Sequence, residues 1–267
     1  MLVLTLSLYF WTLTQPFGLK RPDEVISDPY TTLIWSDEFN EDGGLSSEKW
    51  TYELGDGCPN LCGWGNQEAQ FYTDRSQNVT TAGGTLKIVA QKENYKGRRF
   101  TSARIKTQDK FEFTYGRVEV RAKLPKGKGV WPAIWMLGAN IDEVGWPSCG
   151  EIDIMEHVGN QPNIVHGSIH NPSSHGNTVN TKKIKIDDLT AGFHVYEMIW
   201  ETDKIQFVMD GNPFYTYAPA QKNMSTWPFD KDQYLLINLA MGGGFGGKID
   251  PSFESATLEI DYIRVYQ

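Results

Sequence analysis

The segment GEIDIMEHVG (Gly150–Gly159) carries three carboxylates within six residues that are otherwise apolar. The isoleucines and methionine between these carboxylates predict a buried strand. In a regular strand Glu151 and Asp153 share one face and Glu156 points to the other. A β-bulge, which adds one residue to the strand, would return Glu156 to the first face. The segment therefore predicts a bulged strand that gathers three carboxyl groups on one surface.

Three carboxyl groups on one surface suit acid–base chemistry, because repulsion among like charges raises the pKa of at least one of them. Glycoside hydrolysis uses one carboxylate to attack the anomeric carbon and a protonated partner to supply the leaving oxygen with a proton. We assign Glu151 as nucleophile and Glu156 as general acid/base, and the shorter Asp153 as a hydrogen-bonding support for the nucleophile. Two alternatives remain open, namely a surface strand that merely carries acids and a metal site built from carboxylates.

The pattern resembles the signature of glycoside hydrolase family 16, whose members carry ExDxxE in the bulged form and ExDxE in the unbulged form. The likeness extends through residues 32–267 in seven further motifs, whose order argues against chance. They are WSDEFN (35–40), GNQEAQFY (65–72), SARIKT (102–107), YGRVEVRAKLP (115–125), GVWPAIWML (129–137), HGSIH (166–170) and DYIRVYQ (261–267). The spacing looks most like that of the laminarinases. The resemblance implies a retaining endo-β-1,3-glucanase that acts on β-glucan and needs no cofactor for catalysis.

Short runs of alternating hydrophobicity dominate the rest of the chain. The run 115–123 places three apolar residues between charged ones, and Asp210-Gly211 within 204–215 is a strong hairpin signal. Further strands are predicted at 84–92, 194–201, 234–241 and 257–266. Many short strands in a chain of this length imply two stacked antiparallel sheets, an all-β sandwich. The family resemblance sharpens this to a concanavalin-like jelly roll with a concave substrate cleft.

Composition limits the partners of the protein. Nothing in the 267 residues marks an internal boundary, so we expect one catalytic domain over residues 32–267. A net charge of −8 argues against nucleic acid or an anionic membrane as partner, whereas a neutral polysaccharide is indifferent to this charge. We expect a monomer.

The N-terminal segment is the one long apolar run. Residues 1–14, MLVLTLSLYFWTLT, are too few to span a bilayer and are typical of the apolar region of a secretory signal, although no clear cleavage site follows. Residues 15–31 contain three prolines and are interpreted as a linker. We therefore expect residues 1–31 to be a signal and linker, and the protein to be secreted, whether extracellular or periplasmic.

Three cysteines are present. Cys58 and Cys62 lie in the turn-rich segment GDGCPNLCGWG, where a short disulfide is sterically allowed and fits an exported protein. The CxxxC spacing alone is a weak metal signal. Cys149 precedes the carboxylate strand and is expected to be a buried free thiol.

The family resemblance implies five substrate-binding residues, each of which also has a plainer interpretation. Asn66 could donate to sugar hydroxyls or serve as a turn residue. Arg104 could bind sugar oxygens or form a structural ion pair. Trp131 and Trp135, four residues apart in a strand, would share a face and could stack on sugar rings or pack in the core. His170 would face the carboxylates.

Other residues near these motifs receive weaker assignments. Glu68 is expected to support its neighbours rather than line the cleft. His166 shares the face of His170 but lies further along the strand, and His157 should point away from the carboxylates. The glycine-rich segment 242–247 lacks the ending of a phosphate loop and is interpreted as a loop beside the cleft.

A structural metal ion is a further expectation from the resemblance. Family members often hold calcium on the convex side through an Asp at the position of Asp261, with backbone carbonyls near the equivalents of Glu38 and Gly84. Calcium accepts such loosely arranged oxygen ligands. The alternative is a salt bridge from Asp261 to an Arg or Lys.

Two classes of function are consistent with the sequence. One is the endo-acting glucanase, for which mixed-linkage β-1,3-1,4-glucan is an alternative polymer. The other is a non-catalytic glucan-binding module, because a fold alone does not fix function. The pairing of Glu151 with Glu156 favours the enzyme, since a binding module does not need both an acid and a nucleophile.

Overall fold

Seventeen strands build the part of the chain that the computed structural model describes, residues 29–267. The predicted signal and most of the predicted linker, residues 1–28, lie outside the described residues. The strands are β1 (Leu33–Asp37), β2 (Thr51–Tyr52), β3 (Gln70–Tyr72), β4 (Val79–Thr81), β5 (Leu86–Tyr95), β6 (Arg98–Ser102), β7 (Arg104–Lys106), β8 (Gly116–Lys123), β9 (Val130–Gly138), β10 (Glu151–Glu156), β11 (Ile164–His170), β12 (Thr181–Lys185), β13 (His194–Trp200), β14 (Ile205–Met209), β15 (Asn212–Tyr217), β16 (Gln233–Met241) and β17 (Ser255–Tyr266).

Helical segments are short. They are the one-turn helices α1 (Ile141–Val144) and α2 (Gly243–Gly246) and a 3-10 turn at Cys62–Gly65. Within residues 29–267, no helix is both long enough and apolar enough to cross a bilayer.

The strands form two sheets. The seven-stranded sheet, here called the cleft sheet, has the order β12-β11-β10-β9-β16-β7-β2. The ten-stranded back sheet runs β15-β14-β13-β8-β17-β5-β6-β3, with β1 added on β17 and β4 on β5. Neighbouring strands are antiparallel except for the parallel pair β3 and β6. The prediction of an antiparallel β-sandwich is confirmed.

The core lies between the two sheets. Apolar residues on the inner faces of both sheets are almost fully buried, among them Ile134, Met136, Ile152, Ile169 and Ile237 of the cleft sheet and Val118, Val120, Leu86, Ile88 and Ile263 of the back sheet. Burying each such side chain contributes roughly 1.5–3 kcal/mol. The alternation predicted for β8 is therefore the pattern of a strand that faces the core on one side.

Strand β16 shows no alternation because both of its faces are covered. Its odd-numbered residues face the core between the sheets. On the opposite face, Tyr234 and Leu236 pack with Leu137 and Cys149 in a second, smaller apolar cluster. Cys149 is a buried free thiol, as expected, and burial raises its pKa to about 11.

Most predicted strands are confirmed within a few residues at their ends. The hairpin signal is confirmed because Asp210 and Gly211 both have positive φ, 48° and 70°, between β14 and β15. Two residues with φ > 0 are what a tight antiparallel hairpin turn requires.

Candidate active site

Strand β10 contains the predicted bulge. On the β9 side, Asp153 is paired with Trp135 and Met155 with Ile134, so Ile154 is the extra residue. On the β11 side, the register likewise shifts between Asp153 and Glu156. Glu151, Asp153 and Glu156 therefore face the same side of the cleft sheet, away from the core.

Glu151 lies at the start of β10, where two side chains contact its carboxylate. The indole Nε1 of Trp146 donates a hydrogen bond of 2.6 Å to Oε2, and Nε2 of His170 lies 3.9 Å from Oε1. Both contacts favour the ionised carboxylate. Burial and the nearby Asp153 act in the opposite direction and together raise the pKa of Glu151 to about 8.

Asp153 and Glu156 complete the row of carboxyl groups. Asp153 is buried, and its Oδ2 lies 3.1 Å from Nε2 of His170. Glu156 accepts a hydrogen bond of 3.0 Å from Nε1 of Trp131. Burial raises the pKa of Asp153, and burial together with the Asp153 charge raises that of Glu156 well above its ordinary value. The cluster therefore retains a proton at neutral pH, and Glu156 is a suitable donor.

Trp135 and Arg104 lie to one side of the carboxyl groups. Trp135 belongs to β9, which is next to β10, and Arg104 belongs to β7, with β16 between these two strands. The guanidinium of Arg104 lies 4.8 Å from the ring of Trp64 and 4.7 Å from that of Trp135. It also forms a 2.5 Å ion pair with Glu53. The structural ion pair is therefore present, and the same side chain also braces the aromatic wall, while binding of sugar oxygens by Arg104 stays a prediction.

Asn66 lies at the rim beside this wall, directly after the 3-10 turn. Its Nδ2 donates 3.3 Å to the buried carboxylate of Glu68. Its backbone carbonyl accepts from the N–H of Gly244, so the Asn66 loop and the glycine-rich loop hold each other at the rim.

Trp131 and Trp135 share the outer face of β9, as predicted. Trp131 packs edge-on against Phe245 of the glycine-rich loop, with ring centroids 5.5 Å apart. Phe245 also contacts His166, whose pKa burial and Lys183 lower to about 4. His157 is buried and bonds the carbonyl of Ile164, away from the carboxyl groups, as predicted.

Sequence reasoning missed two residues that contact this site. Trp146 lies in a Trp-Pro turn five residues before Glu151, and its indole is visible in the sequence only as an aromatic in a loop. Asn238 faces the cleft from β16 and accepts 2.8 Å from Nε1 of Trp135. A polar residue inside the apolar run YLLINLAM was the available signal for Asn238.

The ligand atoms of Glu151, Asp153 and His170 lie within 4.8 Å of one another, a spacing that a metal ion could also use. Among the described residues this is the cluster that could hold an ion. It lacks Glu156, however, whereas the hydrolytic interpretation gives each of the three carboxyl groups a role.

The residues expected to hold calcium lie where β17 exchanges one neighbour for another. β17 pairs with β5 up to Ile260 and with β1 from Ile263 onward, and its register against β8 shifts between Ile260 and Tyr262. Asp261 thus lies between the end of β1 and the start of β5, near Glu38 and Gly84 in the strand order. Calcium binding at this position stays a prediction.

The side chains at this position are paired with cations of the chain itself. The Asp261 carboxylate contacts the guanidinium of Arg121, which is the salt bridge named as the alternative. Glu38 forms a bidentate pair with Arg264 at 2.9 and 2.8 Å. Any calcium ion here would rely on backbone carbonyls and would share Asp261 with Arg121.

Cys58 and Cys62 are joined by a disulfide, which confirms the pairing allowed by the sequence. The bridge closes the loop that leads to Trp64 and Asn66. It therefore ties down the rim of the cleft on the Arg104 side.

Comparison with known proteins is consistent with this geometry. A beta-glucanase from Rhodothermus marinus is 41% identical, over 94% of this chain and 89% of the relative. A glucan endo-1,3-beta-glucosidase from Cryptopygus antarcticus is 37% identical, over 87% of this chain and 90% of the relative.

The same holds for solved structures. A laminarinase from Flavobacterium sp. UMI-01 with a known crystal structure is 50% identical to this protein and superposes on it with a TM-score of 0.84. The match covers 88% of this chain and 100% of the laminarinase chain. This likeness confirms the expected jelly roll. The model of the glycosyl hydrolases family 16 matches residues 65–264. The chain belongs to glycoside hydrolase family 16.

Proposed function

We propose that the protein is a retaining endo-β-1,3-glucanase with Glu151 as nucleophile and Glu156 as general acid/base. The observation that carries this proposal is the bulge at Ile154, which brings both glutamates to one face with Asp153 between them. The similarity to a laminarinase and to a glucan endo-1,3-beta-glucosidase supports the choice of polymer.

The first chemical step uses the two glutamates on the same bond. The ionised Oε atom of Glu151 attacks the anomeric carbon, and the bond from that carbon to the leaving oxygen breaks. Glu156 transfers its proton to this oxygen, so the shortened chain leaves as an alcohol. The indole of Trp146 and the ring of His170 hold the Glu151 carboxylate in place for attack.

The second step regenerates the enzyme. Glu156, now ionised, removes a proton from water while the water oxygen bonds to the anomeric carbon and the ester bond to Glu151 breaks. Ionisation of Glu156 is easier once Glu151 is esterified, because esterification removes one neighbouring negative charge. Two inversions at the same carbon return the β configuration.

Hydrolysis of defined polymers tests this proposal. The protein is incubated with laminarin, lichenan, curdlan and agarose, the products are sized, and the new reducing ends are followed by proton NMR. We expect a ladder of oligosaccharides from laminarin whose new ends appear first as the β anomer. An initial α anomer would refute the nucleophile assignment, and inert laminarin would refute the substrate.

Mixed-linkage β-1,3-1,4-glucan is the second candidate substrate. The name of the Rhodothermus marinus relative, beta-glucanase, does not specify one linkage. Faster cleavage of lichenan than of laminarin in the same assay would favour this candidate. A non-catalytic glucan-binding module is disfavoured by the paired glutamates, which a binding module does not need.

We also propose that the protein works outside the cytoplasm as a monomer. The apolar segment 1–14 and the Cys58–Cys62 disulfide support export, because disulfides persist in oxidising compartments. A polymeric substrate is itself found outside cells. A structural calcium ion at Asp261 remains part of this proposal and plays no part in the chemistry.

A further inference from the structure

A buried chain of hydrogen bonds runs from the cleft wall to Glu68. Nε1 of Trp135 donates 2.8 Å to Oδ1 of Asn238, and Nδ2 of Asn238 donates 3.1 Å to the hydroxyl oxygen of Tyr72. The Tyr72 hydroxyl then donates 3.1 Å to Oε2 of Glu68. We call the chain Trp135–Asn238–Tyr72–Glu68 the relay. Tyr72 is fully buried, and Glu68 and Asn238 are 4% and 5% exposed.

The chemistry of these groups sets one direction for the relay. An indole nitrogen can only donate, so Asn238 must accept with its oxygen and donate with its amide. The hydroxyl oxygen of Tyr72 accepts the hydrogen bond from this amide, so the hydroxyl proton is free to be donated to Glu68. Every group in the relay thus has its role fixed by its neighbour, and the relay ends on a carboxylate that accepts.

A second one-way chain ends on the same carboxylate. The backbone N–H of Met241 donates 2.8 Å to Oε1 of Gln70, and Nε2 of Gln70 donates 2.6 Å to Oε2 of Glu68. Asn66 donates to the other oxygen, Oε1, at 3.3 Å. The three side chains that bond to the Glu68 carboxylate all donate hydrogen bonds. The two carboxylate oxygens can accept all three when Glu68 is ionised.

We propose that Glu68 is the positioning residue of the substrate-binding wall, fixing Asn66 directly and Trp135 through Tyr72 and Asn238. This proposal rests on the proposed function, because the wall matters only if a glycan chain lies against it. Glu68 itself is buried and does not reach the cleft. It determines where an amide donor and an aromatic face stand relative to the carboxyl groups of β10.

Glu68 has two arms, the direct hydrogen bond from Asn66 and the relay from Trp135, and two variants separate them. Tyr72→Phe cuts the relay to Trp135 and leaves the bond from Glu68 to Asn66. Glu68→Gln is similar in size but has one acceptor oxygen, which the two donors on the Oε2 side, Tyr72 and Gln70, favour. The NH2 group of the new side chain then faces Asn66, so this arm loses its acceptor. Tyr196→Phe is the matched control, because Tyr196 is a buried tyrosine of the back sheet whose hydroxyl has no hydrogen-bond partner among the described residues.

Kinetics on laminarin oligosaccharides of increasing length measure the effect. We expect Tyr72→Phe to raise KM about three- to tenfold, the range that one lost hydrogen bond produces, with a smaller change in kcat. Glu68→Gln should also raise KM and shift the sizes of the products. The pH profile should stay in place, because neither change touches Glu151 or Glu156. Wild-type values of KM and product size in both variants would overturn the proposal.

A measurement without substrate keeps the test independent of the polymer. In the 15N–1H spectrum, we expect the indole N–H of Trp135 to lose hydrogen-exchange protection in Tyr72→Phe. The indole of Trp200, which bonds the carbonyl of Phe229, should be unaffected, as should both indoles in Tyr196→Phe. Unchanged protection of Trp135 overturns the relay even if laminarin is cleaved. Lost protection without laminarin hydrolysis supports the relay and refutes the proposed substrate.

Discussion

Glu151 and Glu156 each accept a hydrogen bond from an indole, but the two indoles come from different parts of the fold. Trp131 belongs to β9, the strand beside β10, whereas Trp146 belongs to the turn before β10 and is 45% exposed. An indole cannot accept a proton, so each contact favours the charged carboxylate without competing for its proton. The acid and the nucleophile can therefore be tuned separately.

Replacing Trp146 tests this tuning at the nucleophile. Trp146→Phe removes the N–H that stabilises ionised Glu151, so the pKa of Glu151 should rise. The acid limb of kcat/KM should then move to higher pH by about one unit, since a hydrogen bond to a charged group is worth about 1.5–3 kcal/mol and one unit about 1.4. The pH dependence of laminarin hydrolysis measures this shift.

Trp131→Phe is the matched comparison for Trp146→Phe. It removes the indole from Glu156 and should raise the pKa of the acid, which moves the alkaline limb upward instead. An acid limb that stays in place in Trp146→Phe would contradict the role given to this indole.

The sequence identified the carboxyl groups but not the residues that tune them. Glu151, Asp153 and Glu156 stand out because charge is unusual in a buried strand. Trp146 does not, because an aromatic residue in a loop has no periodicity to place it. Tyr72 and Asn238 are 166 residues apart in the sequence. They become neighbours only when the back sheet and the cleft sheet pack together.

At the scale of one element, the bulge of β10 decides whether the site exists. If the same six residues formed a regular strand without a bulge, Glu156 would turn toward the apolar space between the sheets, where Ile134 and Ile152 are fully buried. An unpaired carboxylate there would be expensive to bury. The bulge thus determines both the chemistry of the site and the composition of the core.

Deleting Ile154 is the corresponding experiment. The deletion leaves Glu151, Asp153 and Glu156 at alternating positions of a regular strand, which is the unbulged ExDxE form, so we expect hydrolysis to be retained. Loss of the buried Ile154 side chain should lower the free energy of unfolding by several kcal/mol. Ile154→Val keeps the strand length and should cost about 0.5–1.5 kcal/mol with activity retained. Chemical denaturation and laminarin hydrolysis of both variants decide. Loss of hydrolysis in a folded deletion variant would show that the bulge does more than set the face of Glu156.

The position of Asp261 in β17 gives a prediction about metal dependence. If calcium binds the folded state there, exhaustive chelation should lower the midpoint of thermal unfolding. The free energy of unfolding lost on chelation is about 2.7 kcal/mol when the free calcium concentration was a hundredfold above Kd. Asp261→Ala should unfold at the same temperature with and without chelator. A midpoint unaffected by chelation in the native protein would leave the ion pair with Arg121 as the whole role of Asp261.

Strands were easier to predict than their connections, for a physical reason. Alternation in β8 and the Asp210-Gly211 turn report local constraints that a few residues satisfy alone. In β16 all nine residues are buried, so periodicity carries no information about which face meets the cleft. The exchange of β17 from β5 to β1 depends on two distant segments and leaves no local signal.

At the scale of the molecule, the buried carboxyl groups should make stability depend on pH. Burial raises the pKa of Glu151 from 4.5 to about 8 in the folded state. The contribution of Glu151 to the stability of the folded state is therefore fully present below about pH 4.5, and it is lost as the pH rises through about 8. Each unit by which folding raises the pKa corresponds to about 1.4 kcal/mol of this loss.

Glu151→Gln should remove this loss. We expect the unfolding midpoint of the variant to exceed that of the native protein by a margin that grows from pH 4 to pH 9. Glu119→Gln is the control, because Glu119 is ion-paired with Arg117 on the back sheet and lies outside the cluster. Parallel midpoints for Glu151→Gln and native protein at all pH values would argue against a cost of burying this carboxylate.

The place of β17 in the back sheet bears on how the protein is made. This last strand of the fold lies between β5 and β8, and it also pairs with β1. Residues 255–266 therefore have to be synthesised before the back sheet can close, and until then the apolar faces of its earlier strands lack their partner. Incompletely synthesised chains thus expose apolar surface, which favours aggregation.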